Sequence, residues 1–507
     1  MKTIKYIFQS IILSMLFLSV ACEEKKKNPN IVIILADDLG YGDPQVYNDE
    51  SKIPTPHINQ LAAEGMRFTD AHTPSSVCTP TRYGLLTGEY AWRTELKKSV
   101  LWMWDKPLIA PDQLTMPKML KSEGYATACV GKWHLGWRWP SNQGDGFMND
   151  TIPIGDYGLK GRNMLWEKID FSKKLGGGPL EVGFDYYFGD DVPNFAPYTF
   201  FENDRLVQIP DRIKPDSIYG GYGPMADGWE LEKVMPTITE KAVNYIGEQA
   251  NTEQPFFLYF ALTAPHTPIA PTDKFKGKSK AGLYGDFVHE VDWTVGQVIK
   301  VLKETGQYDN TLLVFTSDNG SPQRDGTNMG GPIASVKKYG HDPSRPWKGM
   351  KSDAWEGGHR VPFIATWPGK IASNSVNNQL VCLTDIISSV AGLVGVSEDA
   401  QKSMVDSYDI SSLLFGQQKT VREHIVHHSG NGTFAVRKGD WKLILGKNSG
   451  GFSNNLKIPG IPVETPGQLY NLSHDPAEQE NLYADNPEKV QQLTELLNGF
   501  QQRGTSL

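Results

Sequence analysis

Residues 30–36 read NIVIILA, an apolar run without polar alternation that stops at Asp37-Asp38. Such a run suits a strand covered on both faces, as in a parallel sheet packed between helices. The same signature returns at residues 125–130, at 255–262 (containing FFLYFAL) and at 311–316 (TLLVFT). Between these runs lie helical periodicities at 117–123, stopped by Gly124, at 238–246 and at 287–302, with Gly306 beyond the last. Helix alternating with apolar strand predicts a large α/β domain: a doubly wound, mostly parallel sheet sandwiched by helices. After about Gly369 the pattern changes. A helix is expected at 385–393, two strands over 425–445 turned at 437–440, and an amphipathic closing helix at 489–501. The expected division is a catalytic domain over 30–380 and a smaller α+β subdomain, an antiparallel sheet plus closing helix, over 381–507.

The first residues stand outside this scheme. Lys2 and Lys5 precede an apolar stretch over 6–21, broken by Gln9 and Ser10, and Ala21-Cys22 follows. A basic start, a short apolar centre and a small residue before Cys read as an export signal over 1–22 rather than a membrane span. The end of this stretch resembles a bacterial lipoprotein signal, although Ser19 stands where that pattern prefers Leu. The resemblance implies lipidation of Cys22 and a polar tether over 23–29; cleavage without lipidation is the alternative. Glu23-Glu24 is similar to the acidic signal that sends some lipoproteins to the outer face. Export to the periplasm or outer-membrane surface of a Gram-negative bacterium is therefore expected, with any membrane contact made through the lipid.

Composition narrows the classes. Of 507 residues, 50 are Lys or Arg and 58 Asp or Glu, a formal charge of −8, which argues against a basic nucleic-acid groove. With 39% hydrophobic, 21% charged and 11% aromatic residues the chain is globular rather than disordered. Of the four cysteines, Cys22 and Cys78 have their own readings, so Cys129 and Cys382 leave disulfides no scaffold role.

The chemistry lies where the strands stop. One strand ends in Asp37-Asp38, another runs into Gly131-Lys132-Trp133-His134, a third into Ala264-Pro265-His266 and a fourth into Asp318-Asn319-Gly320. Ligands of open α/β sheets bind outside the carboxyl ends of the strands. Asp37, Asp38, Asp318 and Asn319 are hard oxygen donors, suited to one Ca²⁺, with Mg²⁺ second, whereas zinc sites usually include His or Cys. Lys132 and His134, two apart, face one side of an extended segment and suit an anionic substrate. Cys78 precedes Pro80 at a helix start, where a thiol is either a low-pKa nucleophile or a buried structural residue.

The segment Cys78-Thr79-Pro80-Thr81-Arg82, followed after four residues by Thr87-Gly88, resembles the sulfatase signature C-x-P-[S/T]-R-x4-T-G. The stretch 131–136 resembles the family's second signature. Asp37-Asp38, Ala264-Pro265-His266, Ser317-Asp318-Asn319-Gly320, Glu356-Gly357-Gly358 and Tyr470-Asn471-Leu472 with Asp475-Pro476 and Glu478 extend the match over nearly the whole mature chain. The chain thus resembles the type I, formylglycine-dependent sulfatases, close to the arylsulfatases and N-acetylgalactosamine-6-sulfatases, of the alkaline phosphatase superfamily.

That resemblance implies that Cys78 is oxidised to formylglycine (3-oxoalanine) by a formylglycine-generating or anaerobic sulfatase-maturating enzyme. The hydrated aldehyde would take the sulfate as a covalent ester and then expel it. Cys78 would also be a metal ligand, with Asp37, Asp38, Asp318 and Asn319. Lys132 would bind sulfate oxygens and Arg82 the hydrated aldehyde. His266 would be the general acid, His134 the base that releases sulfate. Lys351, five residues before Glu356, matches the second sulfate-binding lysine, with Lys348 nearby. His359 stands where the family usually has an aliphatic residue; His359, Asp191 and Asn194 are candidate substrate contacts, with His72, Asp190, His427 and His428 behind them. A sulfated polysaccharide or its oligosaccharides is the expected substrate, either a marine algal glycan such as ulvan or a glycosaminoglycan. Trp102, Trp104, Trp133, Trp137, Trp139 and Trp166 offer faces for sugar rings. Two alternatives remain open: a phosphatase or phosphodiesterase of the same superfamily, and an inactive surface glycan-binding lipoprotein.

Overall fold

The computed structural model describes residues 28–156, 158–397, 401–455 and 465–507. The expected signal, Cys22 and all but the last residues of the tether lie outside the described residues. No helix among the described residues is long and apolar enough to cross a membrane.

The elements that position the site are, in chain order, β1 (Asn30–Asp37), α1 (Pro56–Glu64), β2 (Met66–Phe68), α2 (Cys78–Thr87), α3 (Met116–Ser122), β3 (Ala126–Gly131), β4 (Tyr186–Gly189), β5 (Phe201–Glu202), β6 (Arg205–Leu206), α4 (Val234–Gln249), β7 (Phe256–Pro265), α5 (Gly282–Glu304), β8 (Thr311–Ser317), β9 (Phe363–Thr366), β10 (Ser375–Asn377), α6 (Asp385–Val394), β11 (His424–His428), β12 (Phe434–Lys438), β13 (Trp441–Ile444), β14 (Gln468–Asn471) and α7 (Pro487–Arg503). The large sheet has the strand order β10-β2-β9-β8-β1-β7-β3-β4-β5-β6. Its centre is parallel, with β1 between β7 and β8, and β3 between β7 and β4. Antiparallel strands flank it: β9 beside β8 and β5 beside β4.

β1 shows why the apolar run does not alternate. Ile31, Ile33 and Leu35 enter one hydrophobic core, while Val32, Ile34 and Ala36 enter the core on the other face with α4 and α5. Both sets are fully buried. At 25 cal/mol per Å² of apolar surface, each such side chain contributes about 1.5–3 kcal/mol, so the central strands anchor the edge at which they stop.

The C-terminal part differs from the expectation in two ways. The segment 425–445 forms three strands, not two: the turn near 437–440 joins β12 to β13, and a further turn at 429–433 separates β11 from β12. With β14 they make a four-stranded antiparallel sheet covered by α7, whose Leu493, Leu497 and Phe500 pack on Ile425, Val436 and Leu443. In addition, α6 belongs to the large body, because Ile386, Ile387 and Val390 share a core with Ile33 and Leu35. The change of core therefore falls after α6 rather than at residue 380; sequence periodicity cannot report which core a short helix joins.

Candidate active site

Because β1, β3, β7 and β8 are parallel neighbours, their carboxyl ends meet at one edge. Asp37 closes β1 and Asp38 follows it. The Asp318 N–H donates to the Ala36 carbonyl at 3.0 Å, and the Asp38 N–H to Asp318 Oδ1 at 3.2 Å. At the end of β3, Gly131 has φ +101°, and a Cβ there would lie 1.8 Å from the Ala261 carbonyl oxygen, so only glycine lets the chain turn Lys132 inward.

Each carboxylate faces a cation. Arg82, on α2, donates from Nε and Nη2 to Asp318 Oδ2 at 3.0 and 2.7 Å. Lys132 Nζ lies 2.8 Å from Asp37 Oδ2, and Lys351 Nζ 2.5 Å from Asp38 Oδ1. All six side chains are buried. Cys78, in the first turn of α2, has its Sγ 3.7 Å from Asp37 Oδ1 and 3.4 Å from Lys351 Nζ. Lys348 instead donates to the Glu478 carbonyl and lies over the Trp355 ring, so Lys351 is the lysine at the centre.

The donors suit a hard cation. Ligand atoms of Asp37, Asp38, Cys78 and His266 lie within 4.8 Å of one another. Asn319 Nδ2 donates to Asp38 Oδ1 at 2.7 Å, but its Oδ1 is buried with no hydrogen-bond partner. A buried acceptor without a partner is costly, and a divalent ion held by carboxylates would satisfy it.

The electrostatics follow from burial and these pairs. Burial alone would lower the Lys351 ammonium, but Asp38 and its neighbours reverse this and hold it well above its ordinary range. Lys132 is raised in the same way, against burial, by Asp37. Asp38 is lowered: Lys351 and His266 outweigh the burial that acts against its charge. Burial, with the Asp318 charge, pushes the Cys78 thiol up to about 12. The low-pKa thiolate considered from the sequence is therefore not what this environment favours.

The two histidines have assignable tautomers. His134 Nε2 lies 3.0 Å from the Leu101 carbonyl, to which it donates, leaving Nδ1 a buried acceptor without a partner. Burial and then Lys132 hold this imidazole well below its ordinary value. His266 Nδ1 donates to the Thr267 carbonyl at 2.5 Å, and its Nε2 is 3.7 Å from Asp38 Oδ2. Burial and Lys351 bring it down to about 3.

A cavity of about 460 Å³ opens on this centre, lined by Asp38, Cys78, His134, His266 and Lys351. Asn194, a candidate substrate contact, lines it. Asp191 does not; it accepts from the His134 N–H at 3.2 Å and from Trp137 Nε1 at 3.3 Å, and so positions His134 from behind. Asp190 is buried with neither carboxylate oxygen paired, and burial together with Asp191 raises it to about 7 against the opposing charge of Lys132.

His359 is not a substrate contact. It is fully buried, its ring stacked on His427 at 3.7 Å, with Nδ1 3.0 Å from His72 Nδ1 and Nε2 3.0 Å from Lys442 Nζ. His72 in turn binds Asp70 at 2.7 Å, and Lys442 reaches Glu356 at 3.0 Å. These groups form a charge-paired seam beneath the small sheet, and the contacts from Lys442 through His359 and His72 to Asp70 suit a hydrogen-bond relay. His428 is likewise buried, with Nδ1 3.1 Å from the Ser429 carbonyl. The tryptophans divide too: Trp104, Trp133, Trp137 and Trp139 pack in the core, Trp166 packs against it, and Trp102 alone of the six lines the cavity.

The cavity wall also holds residues that sequence reasoning passed over: Tyr219, Arg324, Asn431, Phe452 and Asn454. Two of these sit in or beside glycine-dense loops, Ser429–Gly432 and Ser449–Gly451, the one signal that would have marked the backbone there as close to a ligand.

The sulfatase family model matches residues 29–396. An N-acetylgalactosamine-6-O-sulfatase of Bacteroides thetaiotaomicron is 33% identical over 95% of this chain and 94% of its own. Human arylsulfatase A is 30% identical over 92% of this chain and 87% of its own. A solved sulfatase structure from work on glycosaminoglycan metabolism by B. thetaiotaomicron superposes with a TM-score of 0.76 at 32% identity, covering 94% of this chain and 99% of that one. Together with the alkaline-phosphatase-like sheet, these matches make the chain a member of the sulfatase family, the sulfuric ester hydrolases.

Proposed function

We propose that this sulfatase removes sulfate from sulfated oligosaccharides of glycosaminoglycan type, using formylglycine at position 78 and one Ca²⁺. The observation that carries the reading is the convergence of Cys78, His134, His266 and Lys351 on one cavity, with Lys132 buried behind them on Asp37, beside four oxygen donors. Hydrated formylglycine supplies an oxygen nucleophile and, on the same carbon, a second hydroxyl for release of sulfate. Asp37, Asp38, Asp318 and Asn319 would hold the cation, which supplies positive charge that draws electron density from sulfate. Of the substrates considered, the glycosaminoglycan side is favoured by the relative that acts on an N-acetylgalactosamine 6-sulfate; ulvan has no such support.

The chain's own groups divide the work. Lys132 and Lys351 hold sulfate oxygens from two sides. His266, with Nδ1 tied to Thr267, presents Nε2 to the leaving oxygen; the ester's negative charge opposes Lys351 and favours the imidazolium. His134, with Nε2 tied to Leu101 and its backbone held by Asp191, presents Nδ1 as the proton acceptor. Cys78 is buried in the folded chain, which fits a maturation enzyme that oxidises this one side chain before folding is complete. Export, through the 1–22 signal with lipidation at Cys22, fits a protein that meets polymeric substrate outside the cytoplasm.

The test is peptide mass spectrometry across residue 78 combined with turnover of 4-nitrophenyl sulfate, 4-nitrophenyl phosphate and defined sulfated disaccharides. Expected are an oxoalanine at 78 and sulfate cleavage restored by Ca²⁺ after chelation. An unmodified thiol in active enzyme, or faster phosphate cleavage, overturns the reading. Radiolabelled palmitate incorporation lost in Cys22→Ala checks the anchor.

A further inference from the structure

The cations around the reactive centre are of two kinds. Arg82, Lys132 and Lys351 each face an aspartate. Arg324 does not. It lines the same 460 Å³ cavity, half-buried, donates from Nη1 to the Gly331 carbonyl, and has no carboxylate partner among the described residues. Tyr219 stands beside it: a Cβ at Gly330 would meet the Tyr219 ring at 2.7 Å, so the ring covers the turn that Arg324 holds.

A second cavity, of about 780 Å³, adjoins the first and shares Trp102, Asn194, Phe195 and Tyr219 with it. It contains another cation of the second kind. Lys214 is 5% exposed, its Nζ donates to the carbonyls of Pro215 at 3.1 Å and Ile218 at 2.6 Å, and no carboxylate pairs with it among the described residues. In a chain with a formal charge of −8, acidic partners are not scarce. A partly desolvated cation without one carries an electrostatic cost that an incoming anion relieves, and the planar guanidinium matches a carboxylate or a sulfate with two parallel hydrogen bonds. A single sulfate ester already has Lys132 and Lys351, so it does not call for Arg324.

We infer that Arg324 is a specificity-determining residue that binds a second anionic group of the substrate, a uronic carboxylate or another sulfate, while the adjoining lobe past Tyr219 receives the neighbouring sugar. This rests on the sulfatase reading above and narrows it to substrates carrying at least two negative charges.

Matured enzyme is assayed on 4-nitrophenyl sulfate, which has one anion, and on a sulfated, uronate-containing disaccharide, before and after reduction of the uronate to the alcohol. A disulfated, uronate-free disaccharide provides the other arm. Arg324→Gln is expected to lower kcat/KM on a doubly anionic substrate about tenfold more than on 4-nitrophenyl sulfate, chiefly through KM, as loss of a charge-assisted hydrogen bond requires. Arg324→Lys should recover part of the difference. In the wild type, carboxyl reduction that erases the preference assigns the uronate, and loss only on removal of the extra sulfate assigns sulfate. A wild type that does not favour any doubly anionic substrate, or an Arg324→Gln effect equal on all substrates, overturns the inference while leaving the sulfatase intact. Failure of the wild type on every sulfate ester overturns the sulfatase reading instead.

Discussion

Two regions of this molecule bury dense charge, and they differ in how that charge is satisfied. At the strand ends, Asp37, Asp38 and Asp318 are matched by Lys132, Lys351 and Arg82, yet Asn319 Oδ1 and His134 Nδ1 have no partner, and His134 lines a cavity. In the seam under the small sheet, Lys442 lies 3.0 Å from Glu356 Oε1 and 2.9 Å from Glu478 Oε1, and Asp70 takes Arg437, Arg360 and His72. There the charged groups pair with one another, and the unpartnered His427 Nε2 does not line the catalytic cavity. Unfinished valence beside open space marks chemistry; a closed network marks a joint between two sheets. The contrast also explains why His134 and His359, both buried histidines held below their ordinary pKa by burial, have opposite roles.

The sharpest way to break this contrast is to remove one group from each side. Cys78→Ala should lower kcat on the order of 10⁴–10⁶-fold, as removal of a nucleophile that acts with its neighbours does, with little change in melting temperature. Lys442→Met should do the reverse. It leaves Glu356 buried without its main counter-charge, a loss of about 3–5 kcal/mol seen in urea unfolding, while the surviving folded fraction keeps a normal KM. If Lys442→Met spared stability and abolished turnover, the division into site and seam would be wrong.

A smaller effect separates the proton acceptor from its support. His134→Ala should cost about 10²–10⁴-fold in kcat. Asp191→Asn keeps an acceptor for the His134 N–H and should cost much less, on the order of tenfold. Equal losses would mean that Asp191 itself touches substrate, which its contacts with His134 and Trp137 argue against.

Much of the centre was legible because its signals are local. Each run such as NIVIILA ends in its functional residue, and parallel pairing then brings the ends together without further information. Lys351 was reached only by counting back from Glu356, since an isolated lysine in a loop has no periodicity to mark it. The seam was not legible. His72, His359 and His427 lie on three segments far apart in the sequence, and their contacts depend on how β11 packs against the large body. The same holds for the tryptophans, whose chemistry suits a sugar face and a core equally until packing assigns them.

The seam makes one further, smaller prediction, in pH. His427 donates from Nδ1 to the Thr73 carbonyl at 2.9 Å, has a buried, unpartnered Nε2, and is held well below its ordinary pKa by burial and then by His72 and Lys442, with Glu356 opposing. An unfolded histidine takes up a proton near pH 6.5 that the folded one refuses. Its contribution is therefore complete above that pH and is lost as pH falls below it, by about 1.4 kcal/mol per pH unit for one proton. Glu478 acts with the opposite sign: burial and Glu356 raise it to about 7, so its effect erodes stability as pH climbs from its unfolded value toward 7. The difference between wild type and His427→Asn cancels Glu478 and isolates the histidine. The asparagine keeps a donor for Thr73 and does not titrate, so urea unfolding between pH 7 and 5 should show a shallower loss of stability in the variant. Parallel curves would mean that His427 takes up its proton at the same pH in the folded seam as in the unfolded chain, and that burial does not hold it neutral.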